Sequence, residues 1–470
     1  MAKEKAPKGP IPTGWMERGA RLAGQTGLSA ARFVGTRFKS FASPDRAQEY
    51  LDGFHEQTAR QLVQMLGEMK GAAMKVGQLA SFYELSGSGE LQTYRDALTM
   101  LQNSAPPMEG GASRKVIEEE FGVPADEVFS NFEDEAVASA SIGQVHRAEL
   151  KTGEKVAIKV QYPGVDEAVR ADLKNVSALT KLAVAIAPNM DPSEVAREVK
   201  ERVLEELDYK REASNQMRFH ELYKGHPFIV IPRVYPDYCR TRVITQEFIE
   251  GDSFLSALEW EKVDRDRLGE IVFRFFYGSL NRFRLFSADP HPGNYLLLGK
   301  DKVAFLDFGL VRALDPGTHE HLLEIIQALI AGDRDRERRA LEGLGILTAR
   351  TPEIDAIWDH LVELNRPVLV DGDFTIDQAV VQKAAAAGFD PRSEAFQALR
   401  RLGVPGVMVT FNRMSFGVHS VLGRLEVTNN WQSIARELWE GAEPKTKLGR
   451  AEQRWLKKAH PDWEPPLASL

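Results

Sequence analysis

Apolar residues recur at helical spacing along most of this chain, and one stretch alternates instead. Leu62, Leu66, Met69, Ala73, Val76 and Ala80 form one stripe of period near 3.6, which predicts helix over residues 47–104. Asn103-Ser-Ala-Pro-Pro-Met-Glu-Gly-Gly111 is rich in turn formers and reads as a linker. Residues 113–122 read as a short helix stopped by Gly122. The period then changes. Gln144 to Leu150 and Lys155 to Gln161 are β-branched runs either side of Lys151-Thr-Gly-Glu154, a hairpin signal. Helix is expected at about 165–187. A further helix opens at Asp191-Pro-Ser-Glu194, where Asp191 can cap, Pro192 suits the first turn and Glu194 completes a capping box. Phe228 to Ile249 holds two more strands. Beyond Gly251 the pattern is mostly helical, apart from short strands near Asp289 and Asp307.

The order is therefore a helical segment, a small β-rich part and a larger helical part, with no internal repeat. The divisions fall at 1–46, 47–112, 113–250, 251–442 and a charged, Pro-containing tail, 443–470, expected to be weakly ordered.

Composition narrows the class without naming it. With 470 residues, 43% hydrophobic and 27% charged, the chain has the make-up of a soluble protein of two domains or one bilobal unit. A formal net charge of −8 gives no reason to expect nucleic-acid binding. A lone cysteine, Cys239, excludes an internal disulfide and a cysteine zinc cluster. The first residues lack the apolar core of a secretory signal. No uncharged apolar run reaches the ~18 residues of a membrane span. A cytoplasmic or peripheral-membrane location is expected, with an organelle left open. Residues 1–46 carry net +6, leaving −14 for the rest. There Ala30, Val34, Phe38 and Phe41 line one helical face beside Arg32, Arg37 and Lys39. Such a helix either lies on an anionic membrane or packs on the main body with its basic face in water; the reading favours the second.

The chemistry lies further on. Asp289-Pro-His-Pro-Gly-Asn294 and Asp307-Phe-Gly309 place two carboxylates and a carboxamide in fixed order. Phosphoryl transfer needs that set: one Asp takes or orients the nucleophile's proton, while an Asn and a second Asp hold Mg²⁺ against the phosphates of ATP. Upstream, alternation in Val156-Ala-Ile-Lys-Val160 puts Ala157 and Lys159 on one face. Lys159 can bond phosphate oxygens, and Ala157 leaves room for a purine. Glu206 continues the stripe Val195, Val199, Val203, and a carboxylate on a buried stripe needs a cation, for which Lys159 is the candidate. Ala138-Ser139-Ala140-Ser141-Ile-Gly-Gln144 reads as a small-residue segment between helix and strand that lets backbone approach phosphates; it is neither a Walker loop nor G-x-G-x-x-G. Lys75 and Gln78 sit three apart on a helix face among Gly71, Ala72, Ala73 and Gly77.

The combination resembles the UbiB/AarF atypical kinase-like family, linked to ubiquinone biosynthesis and isoprenoid-lipid metabolism. Lys75-Val-Gly-Gln78 matches its KxGQ signature, Ala138 to His146 its alanine-rich nucleotide loop, Glu206-Leu-Asp208 its ExD signature, and the two Asp motifs its catalytic loop and metal motif. The resemblance implies an α+β, protein-kinase-like bilobal fold with an N-terminal helical extension carrying KxGQ. It implies that Lys159 contacts the α- and β-phosphates and pairs with Glu206, that Asn294 and Asp307 bind Mg²⁺, that Asp289 is the catalytic-loop carboxylate, and that Glu247 begins the hinge that meets adenine. Lys75, Gln78 and Asp208 would restrict access by protein substrates, favouring ATP hydrolysis or a small lipid-like acceptor such as an isoprenoid-quinone precursor. Two features stand apart from an ordinary protein kinase: only six residues separate Gly309 from Pro316 with no Ala-Pro-Glu after them, and Ser287 stands where the catalytic-loop His would be. The alternatives are a small-molecule phosphotransferase like the aminoglycoside or macrolide kinases, which lack the KxGQ helix, and a nucleotide-binding pseudokinase scaffold.

Overall fold

The computed structural model describes residues 111–140, 142–173, 200–201, 204–347, 354–389 and 405–466. The basic segment 1–46, the stripe carrying Lys75 and Gln78, Ser141 and the helix start at Asp191 lie outside the described residues.

Helix α1 (Ala112–Phe121) ends as its sequence directs: Gly122 takes the left-handed conformation at φ 74° and donates its N–H to Glu118. One helical turn, Ala125–Val128, leads into a four-stranded antiparallel sheet of order β1-β2-β3-β5. Its strands are β1 (Phe129–Ser139), β2 (Gly143–Leu150), β3 (Lys155–Gln161) and β5 (Val243–Glu247). The β2–β3 hairpin closes where the Thr-Gly turn predicted, with Gly153 at φ 95°. Val156, Ile158 and Val160 bury their side chains with Phe129, Phe132, Val116 and Ile117 in a small core of their own.

β1 is an addition to the sequence reading. Only Phe129 and Phe132 of Phe129-Ser-Asn-Phe-Glu-Asp-Glu-Ala-Val-Ala-Ser139 are buried, and the register slips at three points. Irregular pairing erases the alternation by which strands are recognised. Residues 138–140 and 142–144 consequently lie at the tip of the β1–β2 hairpin, not between helix and strand.

Helices α2 (Val165–Leu173) and α3 (Tyr209–Leu222) flank this lobe. The chain then enters a larger, helical lobe. Its second sheet runs β4-β9-β8-β6, from β4 (Ile229–Val230), β6 (Asp252–Ser253), β8 (Tyr295–Leu298) and β9 (Lys302–Phe305). Helix α4 (Lys262–Phe283) runs through the lobe's core, with Leu268, Ile271, Val272, Phe275 and Phe276 sealed. Arg284 ends it at φ 50°, a left-handed turn that throws the chain into β7 (Leu285–Ser287). β7 pairs with β10 (Val311–Ala313) and so brackets both Asp motifs.

Helices α5 (Pro316–Ala331), α6 (Arg334–Gly343), α7 (Ile354–Leu369), α8 (Gln378–Phe389), α9 (Gly406–Leu425), α10 (Trp431–Glu440) and α11 (Lys447–Ala459) complete the lobe, with β11 (Phe374–Ile376) paired to β12 (Val427–Asn429). The tail departs from its expectation of weak order. Trp455 and Leu456 of α11 join the main core, and Glu452 is fully buried. Glu452 accepts from Arg274 and Arg282 at 2.7 Å each and from His226 at 3.2 Å; Arg274 also bonds Glu270 and Glu437. A charged stretch is ordered here because its charges find partners inside. The fold is protein-kinase-like and bilobal, α+β, as expected.

Candidate active site

Lys159 projects from β3 on the face that also carries Ala157 and Gln161. Its ammonium donates to both oxygens of Glu212, at 2.7 and 2.9 Å, and lies 5.0 Å from the centre of the Tyr209 ring. Glu212 therefore corrects the pairing with Glu206. The stripe was read as far as Glu206, where its helix stops. Asp208 then caps a new one, accepting the Arg211 N–H at 3.0 Å, and the helical phase is reset. Glu212, one turn into α3, faces β3. Glu205 goes elsewhere, bonding Arg312 through both oxygens at 2.8 Å and so tying this helix end to β10.

Asp307 lies within electrostatic reach of the pair. It ends the apolar run Val303-Ala-Phe305, and its Oδ1 accepts the Gly309 N–H at 2.9 Å. Gly309 lies between the two carboxylates: an added Cβ would stand in ordinary contact, 3.4 Å from Asp307 Oδ1 and 3.8 Å from Glu212 Oε2. Phe308 is sealed against Phe219 of α3, ring centres 4.9 Å apart, and its carbonyl accepts from Asn215 at 2.9 Å. These contacts fasten the Asp-Phe-Gly turn to the helix that holds Glu212.

The other motif is joined to this one through the backbone. Leu306 donates its N–H to the Asn294 carbonyl at 3.0 Å, so Asn294 and Asp307 come from adjacent strands of chain. Asn294 Nδ2 donates to the Asp289 carbonyl at 3.3 Å, and Tyr295 Oη to that of Pro290 at 2.7 Å. His291 Nδ1 accepts the Gly293 N–H at 3.1 Å, which with the two prolines makes the loop rigid. The Asp289 carboxylate accepts from Arg413 of α9 at 3.1 Å.

The nucleotide-facing candidates lie close by. Ala138 and Ser139 pair with Val145 and Gln144 at the end of β1, and Ala140 donates its N–H to Gly143 to close the turn. Gly143 is required: a Cβ there would strike the Val160 carbonyl and meet the Tyr209 hydroxyl at 2.9 Å. Ala157 is buried opposite Gln246. Glu247 ends β5; its N–H goes to the Arg233 carbonyl at 2.7 Å and its carboxylate accepts from Arg233 N at 3.2 Å.

The electrostatics centre on Lys159 and Glu212. Burial acts to lower the Lys159 ammonium, but the Glu212 carboxylate holds it well above its usual value, so the lysine stays charged. Burial pushes the Glu212 carboxyl up to about 7, and the charges of Asp307 and Glu206 add to that against the pull of Lys159. The Tyr209 hydroxyl, buried and raised above its ordinary range by burial, has no hydrogen-bond partner among the described residues. Among the described residues no cluster of three or more His, Cys, Asp or Glu could hold a metal alone. The donor set fits Mg²⁺ instead: Asn294 and Asp307 are hard oxygen donors, too few for a cage and enough when phosphate oxygens complete the sphere.

A two-lobed fold with a strand lysine held by a helix glutamate, an Asp-x-His-Pro-Gly-Asn loop and an Asp-Phe-Gly turn defines a protein of the kinase-like class. The model of the ABC1 atypical kinase-like domain matches residues 100–341, just over half of the chain. This chain belongs to that family. It is 32% identical over 326 residues to the rat atypical kinase COQ8B, mitochondrial, covering 68% of this chain and 61% of that protein. It is 34% identical over 250 residues to a probable protein kinase UbiB of Pseudomonas fluorescens, covering 51% and 47%. The chain thus spans less than two thirds of these relatives' length. Among solved structures, the complex of Rv3197 with erythromycin from Mycobacterium tuberculosis superposes with a TM-score of 0.62 at 32% identity, covering 86% of this chain and all of that one.

Two site residues were missed in the sequence. For Glu212 the one local signal was Asp208, a residue type that caps helices and so can restart one. For Arg413 there was none: 124 positions separate it from Asp289.

Proposed function

We propose that this chain binds Mg-ATP in the cleft between its lobes and transfers or hydrolyses the γ-phosphoryl group in support of isoprenoid-quinone or lipid metabolism. The observation that carries the reading is the gathering of Lys159, Glu212 and Asp307 on one side and Asp289 and Asn294 on the other, joined by the Leu306–Asn294 bond. Lys159 would neutralise α- and β-phosphate oxygens, fixed by Glu212. Asn294 and Asp307 would hold Mg²⁺, which when bound supplies charge neutralisation for the phosphates. Asp289 would orient the attacking oxygen. Ala138 to Ala140 and Gly143 would let the hairpin tip lie close over the phosphates, and the link from Glu247 would meet the base. Lys75, Gln78 and Asp208 are read as limiting access by protein substrates. The partners expected are ATP and a lipid or quinone precursor, with contact of residues 1–46 with a membrane surface the less favoured of that segment's two readings; no helix among the described residues is long and apolar enough to cross a membrane.

A second reading has one observation in its favour. The solved relative was captured with erythromycin, so a macrolide is a second ligand class to try against this chain.

The test is Mg-ATP turnover by wild type and Asp307→Asn, with and without anionic vesicles carrying a phenolic quinone-precursor mimic. Turnover that rises with the vesicles and is lost in Asp307→Asn supports the reading. Transfer of labelled phosphate to a macrolide would favour the second reading, and wild type inert under every condition would remove both.

A further inference from the structure

The Asp289 carboxylate meets a cation from an unexpected quarter. Arg413 lies on α9, beyond the residues that the family model matches, and its Nη2 donates to Asp289 Oδ1 at 3.1 Å. Both side chains are nearly sealed, 6% and 12% exposed. Both sit on rigid supports. Around Arg413, Met414, Val418, Val421 and Leu422 are buried in the main core, and Ser415 bonds Tyr277 of α4 at 2.8 Å. Around Asp289, Ala288 donates to the Leu310 carbonyl at 2.8 Å and Asn294 holds the Asp289 carbonyl.

We propose that Arg413 is a positioning residue of the phosphoryl-transfer site. It stops the Asp289 carboxylate rotating, by a hydrogen bond between two nearly sealed side chains on rigid supports. Asp289 is thereby held where it can orient a nucleophile. Phosphoryl transfer through a loose transition state asks for that. The C-terminal helices are then part of the active site and not only its support.

This rests on the proposed use of Mg-ATP, and the experiment separates the two. Nucleotide affinity and kcat are measured for wild type, Arg413→Gln, Arg413→Lys, Asp289→Asn and the double variant Arg413→Gln/Asp289→Asn. Arg413→Gln is expected to bind Mg-ATP within about twofold of wild type and to lose roughly ten- to a hundredfold in kcat, the scale on which misplacing a reacting group acts. Arg413→Lys can still donate to Asp289, from a single point, and should recover part of that kcat. The double variant should be no slower than Asp289→Asn. Wild-type kcat in Arg413→Gln, a loss of nucleotide affinity as large as the loss of kcat, or an additive loss in the double variant would overturn the proposal. Failure of both Arg413 variants to fold would also overturn it, by making the residue structural. A wild-type chain that does not turn over Mg-ATP removes the functional reading first.

Discussion

Glu212 in the cleft and Glu452 in the helical lobe are both buried carboxylates bonded to basic side chains, yet their proton affinities move in opposite directions. Burial acts upward on each. Around Glu452, Arg282 and Arg274 overcome it and drive the carboxyl well below its usual range. Around Glu212, Lys159 is outweighed by burial with Asp307 and Glu206, and the carboxyl rises to about 7. One cluster is closed on itself. In the other, burial and the neighbouring carboxylates outweigh the one lysine that bonds Glu212. The difference separates a structural use of buried charge from a functional one, since groups with raised proton affinity beside a specific charge partner mark sites more often than scaffolds.

The comparison breaks most visibly through Arg274. Arg274→Ala leaves Glu270, Glu437 and Glu452 facing each other in the core, and a loss of about 3–5 kcal/mol is expected in denaturant unfolding. The molecules that remain folded should bind nucleotide normally. A loss under ~1 kcal/mol would mean that the cluster is not closed.

Glu212→Gln probes the other side through pH. The folded value near 7 exceeds the ordinary 4.5, so the folded chain holds more protons than the unfolded one between those values. Stability should therefore fall as pH rises through that window, by at most ~3 kcal/mol at 1.36 kcal/mol per unit. Thermal melts at a series of pH values should show a flatter dependence in Glu212→Gln. The Glu452 cluster has the reverse sign: its contribution is present above the unfolded carboxylate range and lost as pH falls, equally in both proteins. Wild type and Glu212→Gln should converge in acid, where Glu212 is protonated and uncharged like the amide.

The smallest effect comes from the cap that aims Glu212. Asp208→Ala removes the acceptor at the start of α3 and should cost about 1 kcal/mol. Nucleotide affinity should fall with it, because Glu212 swings with the first turn. An unchanged affinity would show that α3 is held by Phe219 and Phe308 alone.

What the sequence made legible follows the same division. Lys159, Asp289, Asn294 and Asp307 were readable because each sits in a short segment whose own residues set its geometry: an alternating strand, a proline-framed loop, an apolar strand ending in Asp. Glu206 was chosen over Glu212 because the stripe was followed to the end of its own helix, whereas Glu212 is placed by a new helix that starts at the Asp208 cap. β1 was missed because its bulges hide the alternation. The order of the tail was missed because Glu452 and Trp455 look like surface residues until Arg274 and Arg282 are brought beside them, 178 and 170 positions away. Pairings set by tertiary contact leave no local trace.

The most direct test titrates ATP into wild type and Asp307→Asn by calorimetry, each with Mg²⁺ and with chelator. A cleft that takes a metal-borne nucleotide predicts tight binding by wild type only when Mg²⁺ is present, and weak binding that ignores Mg²⁺ in Asp307→Asn. Equal affinity of wild type with and without the metal, or no binding at all, would contradict the account.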